Sequence, residues 1–266
     1  MLGYRIGFIG AGNMASAILN GALRRCVVLP ENVYLSNPHM EKMHSFQGRG
    51  VNVTISNTEV ADSAGILVLA VKPQKFDEVL PELAGHVDGK CVVSIAAGIS
   101  TEYIKQRLPG AHVIRAMPNT PLLIGKGMTA LAKAPEVPAA YFDAVTELFG
   151  AAGETVLVEE DQINAVIALS GSFPAYFFRF ADTMVEEGVK LGLSPEVALK
   201  LTASAMEGAA GMLLQSGKTA RELTRQVCSP GGTTLAALTA FDDGDMEGMI
   251  ARAMERCMKR AEELGK

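Results

Sequence analysis

Residues 4–15, Tyr-Arg-Ile-Gly-Phe-Ile-Gly-Ala-Gly-Asn-Met-Ala, carry a short apolar strand straight into a glycine turn. No other stretch constrains the fold as much. Gly10 suits a tight turn and Gly12 lets the backbone approach a pyrophosphate. Ala15, in the third fingerprint position, lets the following helix lie close on the strand. The free N–H groups and positive dipole end of that helix place a dinucleotide phosphate against Gly10, Ala11, Gly12, Asn13 and Met14. A single G-x-G-x-x-A also serves plain strand–helix turns, so the rest of the chain has to decide.

The rest of the chain alternates as such a domain must. Strand-like runs fall at 6–9, 33–35, 51–54, 66–70, 92–95, 112–116, 128–131 and 155–158. Helical spacing lies between them at 41–47, 76–83, 101–108 and 139–148. The run Ile66-Leu-Val-Leu-Ala-Val71 is apolar on both faces, as a buried parallel strand should be. From residue 161 onward the grammar changes: only eight Val and Ile remain, and Ala, Leu, Met and Glu dominate. Met246, Met249, Ile250, Ala253, Met254, Cys257, Met258 and Ala261 repeat at three and four, the stripe of an amphipathic helix. Ser194-Pro195 reads as an N-cap and first helical residue after a Gly192 that ends the previous helix. The expected architecture is an α/β Rossmann-type dinucleotide-binding domain, residues 1–158, followed by an all-α substrate and dimerisation domain, residues 159–266.

Composition narrows the function. Of 266 residues 48% are apolar and 20% charged, with a net charge of −5, which disfavours nucleic acid and anionic membrane as partners. No apolar run approaches the ~20 residues of a membrane span, and the first strand begins too early for a signal peptide. Cys26, Cys91, Cys228 and Cys257 form no C-x-x-C pair, so neither metal nor disulfide is indicated and a cytoplasmic setting is expected.

In this kind of fold an acidic residue at the end of the second strand holds the ribose 2′-hydroxyl of NAD. This chain has Ser36-Asn37-Pro38 there, with His39 and Lys42 nearby. A 2′-phosphate is admissible without a repelling carboxylate, so NADPH is the expected cofactor, with NADH possible. The same residues also make an ordinary loop turned by Asn-Pro.

Six segments then converge. They are Gly7-Phe-Ile-Gly-Ala-Gly-Asn-Met-Ala15, Ala70-Val-Lys-Pro-Gln74, Ser94-Ile-Ala-Ala-Gly-Ile-Ser100, Arg115-Ala-Met-Pro-Asn-Thr-Pro121, Ser170-Gly-Ser-Phe-Pro-Ala-Tyr176 and Cys228-Ser-Pro-Gly-Gly-Thr-Thr234. In this order, over nearly the whole chain, they resemble the pyrroline-5-carboxylate reductase family, the last enzymes of proline synthesis. The resemblance implies hydride transfer from NAD(P)H to the C=N carbon of a cyclic imine carboxylate. It also implies homodimers interlocked through the helical domain, and a decamer of five dimers. It makes Asn57 and Gln226 cofactor contacts and Glu160 a substrate contact. The chain departs from the family pattern at Phe173, where glycine is usual, at Gln226, where some relatives have asparagine, and in lacking an arginine near Pro38.

The residues suit that chemistry. All four histidines, His39, His44, His86 and His112, lie in the nucleotide half, so the helical half offers no imidazole acid. A protonated iminium is already electrophilic and needs positioning and a weak donor. Ser229, Gly231, Gly232, Thr233 and Thr234 read as a turn into a helix start whose N–H groups and hydroxyls hold the substrate carboxylate. Thr234, the expected catalytic residue, can also donate toward the ring nitrogen. The spacing fits a plain helix cap equally well. On the nucleotide side Ala70, Val71, Lys72, Pro73 and Ala97 sit at carboxyl ends of strands, where such sheets bind ligands. Two other readings stand beside the first: a reductase of another cyclic imine or 2-oxo acid, and a non-catalytic nucleotide-binding dimer.

Between residues 201 and 216 the only charged side chain is Glu207, and Ala203, Ala205, Gly208, Ala209, Ala210 and Gly211 form a small-residue surface. A helix apolar all round has to be covered on all sides, so a partner subunit is expected there.

Overall fold

The computed structural model describes residues 1–264. Its eight strands are β1 (Ile6–Ile9), β2 (Val33–Ser36), β3 (Asn52–Thr54), β4 (Ile66–Leu69), β5 (Cys91–Ser94), β6 (His112–Pro118), β7 (Gly127–Lys133) and β8 (Gly153–Leu157). They form one sheet in the order β3-β2-β1-β4-β5-β6-β7-β8. Pairing is parallel throughout except between β6 and β7. Connecting segments carry helices α1 (Asn13–Arg24), α2 (His44–Gln47), α3 (Asn57–Ser63), α4 (Phe76–Leu83), α5 (Thr101–Arg107) and α6 (Ala139–Gly150).

The burial of β4 explains its composition. Ile66 and Val68 enter one core with Phe8, Leu35, Val145 and Phe149, whereas Leu67 and Leu69 enter the other with Val60, Phe76, Leu80 and Val92. Each such side chain contributes roughly 1.5–3 kcal/mol by leaving water. β2 leads away from β1 on one side and β4 lies on the other, so the direction of winding reverses between β1 and β4. Ligands bind such sheets at the carboxyl ends on either side of that reversal.

Two details differ from the sequence reading. The helical spacing at 41–47 resolves into a 3₁₀ turn, Met40–Lys42, and a four-residue α2, neither with a side-chain cap. β6 and β7 run longer than their apolar patterns, because five positions from Ile114 to Pro118 pair antiparallel with Thr129 to Lys133.

The helices that follow are α7 (Ile163–Val166), α8 (Phe173–Lys190), α9 (Pro195–Gln215), α10 (Ala220–Val227), α11 (Thr233–Asp243) and α12 (Met246–Leu264). Contacts divide the chain into Met1–Ser172 with the segment from Arg256 onward, and Phe173–Glu255. The change in composition at 158/159 falls inside the first unit. There Ile163 and Ile167 pack with Met117, Ala130, Ala132 and Ala261 in a third small core.

In the second unit, Ser194 caps α9 by accepting from the Val197 N–H at 3.3 Å, with Pro195 as first helical residue and Gly192 at φ +97° before it. Gly188 permits close packing, since a Cβ there would lie 3.2 Å from that of Ala198. Ala198 is the one buried residue of the 21 in α9. By length and composition alone α9 is apolar enough to cross a membrane, with a mean hydropathy of 1.2, although its apolar residues form no unbroken run of that length.

Candidate active site

The glycine turn is built as its residues require. Gly10 has φ +101°, and a Cβ there would come within 2.8 Å of the Ala70 carbonyl oxygen. Its N–H donates to the Ser36 carbonyl at 2.9 Å, and the Ala70 N–H to that of Ile9 at 2.9 Å, so the turn is pinned at the β1/β4 reversal. Gly12 is the N-cap of α1 and offers no side-chain acceptor, and nothing lies within 4 Å of where its Cβ would be. The first N–H groups of α1 therefore face open space, a dipole end suited to an anion.

These residues open on a cleft of about 420 Å³, lined by Gly12, Asn13, Met14, Ala70 to Gln74, Ile95 to Ala97, Pro118 and Leu264. The expected contacts Gly12, Asn13, Met14, Ala70, Val71, Lys72, Pro73 and Ala97 thus come together on one wall-to-wall surface. Among the described residues the lining has no carboxylate and a single cation, Lys72, which is exposed. Ala11 is buried within the turn. The residues present fit a dinucleotide: an uncapped helix start, a glycine cradle and no opposing negative charge.

At the end of β2 the polar side chains have partners within the fold. Ser36 is buried, and its hydroxyl donates inward to Asn57 Oδ1 at 2.7 Å, with the Phe8 carbonyl at 3.5 Å. Asn37 Oδ1 accepts from the His39 N–H at 3.0 Å, closing the loop on itself. His39 lies 3.5 Å from Glu41, which offsets the positive charge expected there. Asn57 in turn donates from Nδ2 to Glu82 Oε2 at 2.8 Å, a partner that nothing in the sequence pattern marks.

Glu160 has partners within the fold. Its carboxylate accepts from the Thr101 N–H at 2.7 Å and from the Thr101 hydroxyl, and lies 3.4 Å from Arg115 Nη1. Arg115 is buried on β6, where burial pulls its guanidinium below the ordinary value and Glu160 opposes that shift. A charge inside the apolar run His112-Val-Ile-Arg-Ala-Met117 demands a buried partner, and that was the signal for this pair. Beside it, Asn119 Oδ1 accepts from the Met128 N–H at 2.9 Å and Asn119 Nδ2 donates to Ser170 Oγ at 3.2 Å. Ser170 sits in a π-helical turn, Ile167–Gly171, a feature often found at functional sites.

In the second unit, residues 229–234 form the expected turn. The Gly232 N–H donates to the Ser229 carbonyl at 2.9 Å, Gly231 has φ +68°, and α11 begins at Thr233 with no side-chain cap. The first N–H groups of α11, on Thr233, Thr234 and Leu235, have no carbonyl within the helix to reach. The left-handed residue is Gly231, and Gly232 is required for space, since a Cβ there would lie 2.3 Å from Ser229 Oγ. Gln226 is exposed on α10.

Comparison with known proteins covers the same span. Residues 160–264 match the family described as pyrroline-5-carboxylate reductase dimerisation, and residues 5–98 that described as NADP oxidoreductase coenzyme F420-dependent. The chain is 38% identical to the pyrroline-5-carboxylate reductase of Corynebacterium melassecola, covering 98% of both chains. It is 37% identical to that of Escherichia coli, again over 98% of both. A solved structure of a pyrroline-5-carboxylate reductase from Coxiella burnetii superimposes with a TM-score of 0.91 at 34% identity, covering 99% of both chains. That of the Plasmodium falciparum enzyme with NADP bound gives 0.92 at 26% identity, covering both chains fully. Matched end to end in sequence and in fold, this chain belongs to the pyrroline-5-carboxylate reductase family.

Proposed function

We propose that this chain reduces 1-pyrroline-5-carboxylate to proline with NAD(P)H, the last step of proline biosynthesis. The observation that carries the reading is that each unit holds an uncapped helix start, α1 at the β1/β4 reversal in the first and α11 at the 229–234 turn in the second. Each suits one anionic group of the reaction, the dinucleotide pyrophosphate and the substrate carboxylate respectively. When bound, the nicotinamide supplies a hydride to the C=N carbon. The chain's own residues do the rest by position. Gly10, Ala11, Gly12, Asn13 and Met14 seat the pyrophosphate, and Ala70, Val71, Lys72, Pro73 and Ala97 line the cleft beyond it. Ser36, Asn37 and Asn57 shape the ribose end, and Gln226 adds a contact from α10. The N–H groups of Thr233 and Thr234, with the Ser229 hydroxyl and the close backbone at Gly231 and Gly232, hold the carboxylate. Thr234 Oγ1 donates to the lone pair of the imine nitrogen and passes it the proton that nitrogen gains as the carbon takes the hydride, regaining one from water. Glu160 contacts the substrate and steadies the positive charge that develops on its nitrogen, its carboxylate held by Thr101 and Arg115.

Residues 159–266 serve as substrate and dimerisation region. The chain works as a homodimer, with five dimers forming a decamer, in the cytoplasm. Exposed Leu199, Leu201, Met212, Leu213 and Leu214 on α9 support subunit contact, and four free cysteines suit a reducing compartment. The test is to follow cofactor absorbance while supplying pyrroline-5-carboxylate with NADPH or NADH. Oxidation of either cofactor with proline as product is expected. No turnover with both would overturn the reading.

A further inference from the structure

We infer that Glu82, on α4, tunes the choice between NADP and NAD by acting through Asn57. This rests on the reading that the cleft takes a dinucleotide with its ribose at the end of β2. At that place the chain has no acid, only Ser36 and Asn37. The structure brings one in from elsewhere. Ser36 Oγ donates to Asn57 Oδ1 at 2.7 Å, and Asn57 Nδ2 donates to Glu82 Oε2 at 2.8 Å.

The order of that chain is set by its last member. An ionised carboxylate only accepts, so Glu82 holds the Asn57 amide with its nitrogen outward to α4 and its oxygen toward Ser36. Ser36, fully buried, must then donate inward and offers no proton at the end of β2, while half-buried Asn57 has its Oδ1, an acceptor with a further lone pair, on that side. Lone pairs accept from a ribose 2′-hydroxyl and repel the oxygens of a 2′-phosphate. The negative charge of Glu82, one side chain removed, acts in the same direction. Against it stand exposed Lys42 and a His39 already beside Glu41. Glu82 is thus a positioning residue that restrains a site otherwise open to the phosphate, and both cofactors are admitted.

Glu82 is exposed, so its reach is limited by solvent and salt. Glu82→Gln keeps an acceptor for Asn57 and removes the charge. Calorimetric dissociation constants for NADP⁺ and NAD⁺, and for their 2′-phospho-ADP-ribose and ADP-ribose fragments, should be measured on the full-length oligomer at low salt. In Glu82→Gln the preference for the phosphorylated member of each pair should rise threefold or more, and the KM for NADPH should fall relative to that for NADH. Glu147→Gln on α6, with the same change in net charge, should leave the ratio where it was. The inference is overturned if the ratio in Glu82→Gln does not move, if both dinucleotides weaken equally, or if Glu147→Gln moves it as far. Wild-type protein that binds neither dinucleotide would instead remove the cofactor reading on which the inference stands.

Discussion

At the scale of single residues the proposed reaction is tested most sharply at Thr234. If its hydroxyl and N–H contact the imine, Thr234→Ala should lower kcat/KM for the imine by roughly ten- to a hundredfold, the loss of about 1.5–3 kcal/mol from one bond to a charged group. The NADPH dissociation constant should stay within twofold. Unchanged kinetics would make the 229–234 turn a helix cap. Asn37→Asp probes the ribose end and should raise the NADPH dissociation constant more than that of NADH, whereas an acid at buried Ser36 would face the Phe8 carbonyl. Cys91 offers a check on the core. Burial pushes its thiol up to about 12 from 9.0, so it should resist maleimide at pH 8 in the native protein while exposed Cys26 reacts. A neutral buried thiol lends stability below pH 9, the unfolded value, and that part is lost as the pH rises toward 12. Labelling of Cys91 as fast as Cys26 would show that β5 opens readily.

At the scale of elements, two turns make steric demands that can be tested. Gly10→Ala combines a φ of +101° with a contact of 2.8 Å to the Ala70 carbonyl, and should cost about 1–3 kcal/mol of stability together with most dinucleotide affinity. Gly232→Val should abolish imine turnover through its clash with Ser229 Oγ while thermal unfolding of the protein stays nearly unchanged. Both positions were legible as glycine-requiring from the motifs alone. The particular reason was not: the left-handed φ belongs to Gly231, and the space requirement to Gly232. Much of the strand and helix order was likewise legible, because β4 is apolar on both faces and helices such as α4 and α12 carry an apolar stripe. The antiparallel turn of β7 against β6 was not, since both directions bury the same residues.

For the whole molecule, the exposed surface of α9 makes the strongest statement. Leu214 is 82% exposed and Leu201 58%, on a helix with one buried residue. Leu214→Glu combined with Met212→Glu should dissociate the oligomer and raise its solubility as a smaller species, read by light scattering across a dilution series. A wild-type chain that stays a folded monomer at micromolar concentration would remove the subunit-contact reading. A carboxylate-bearing proline analogue should compete with the imine, and its decarboxylated counterpart should not, because the α11 start offers donors to an anion and little else.

The sequence by itself determined the α/β half followed by helices, the glycine turn and the turn at 229–234, because those depend on local backbone freedom and on periodic apolar burial. Tertiary structure alone decided what the polar side chains near them do. Glu160 is tied to Thr101 and Arg115, 59 and 45 residues away, and Asn57 is tied to Glu82, 25 residues away. A hydroxyl or carboxylate reads the same in sequence whether it faces a ligand or a partner. Which of the two it meets depends on the atoms that folding brings within about 3 Å of it.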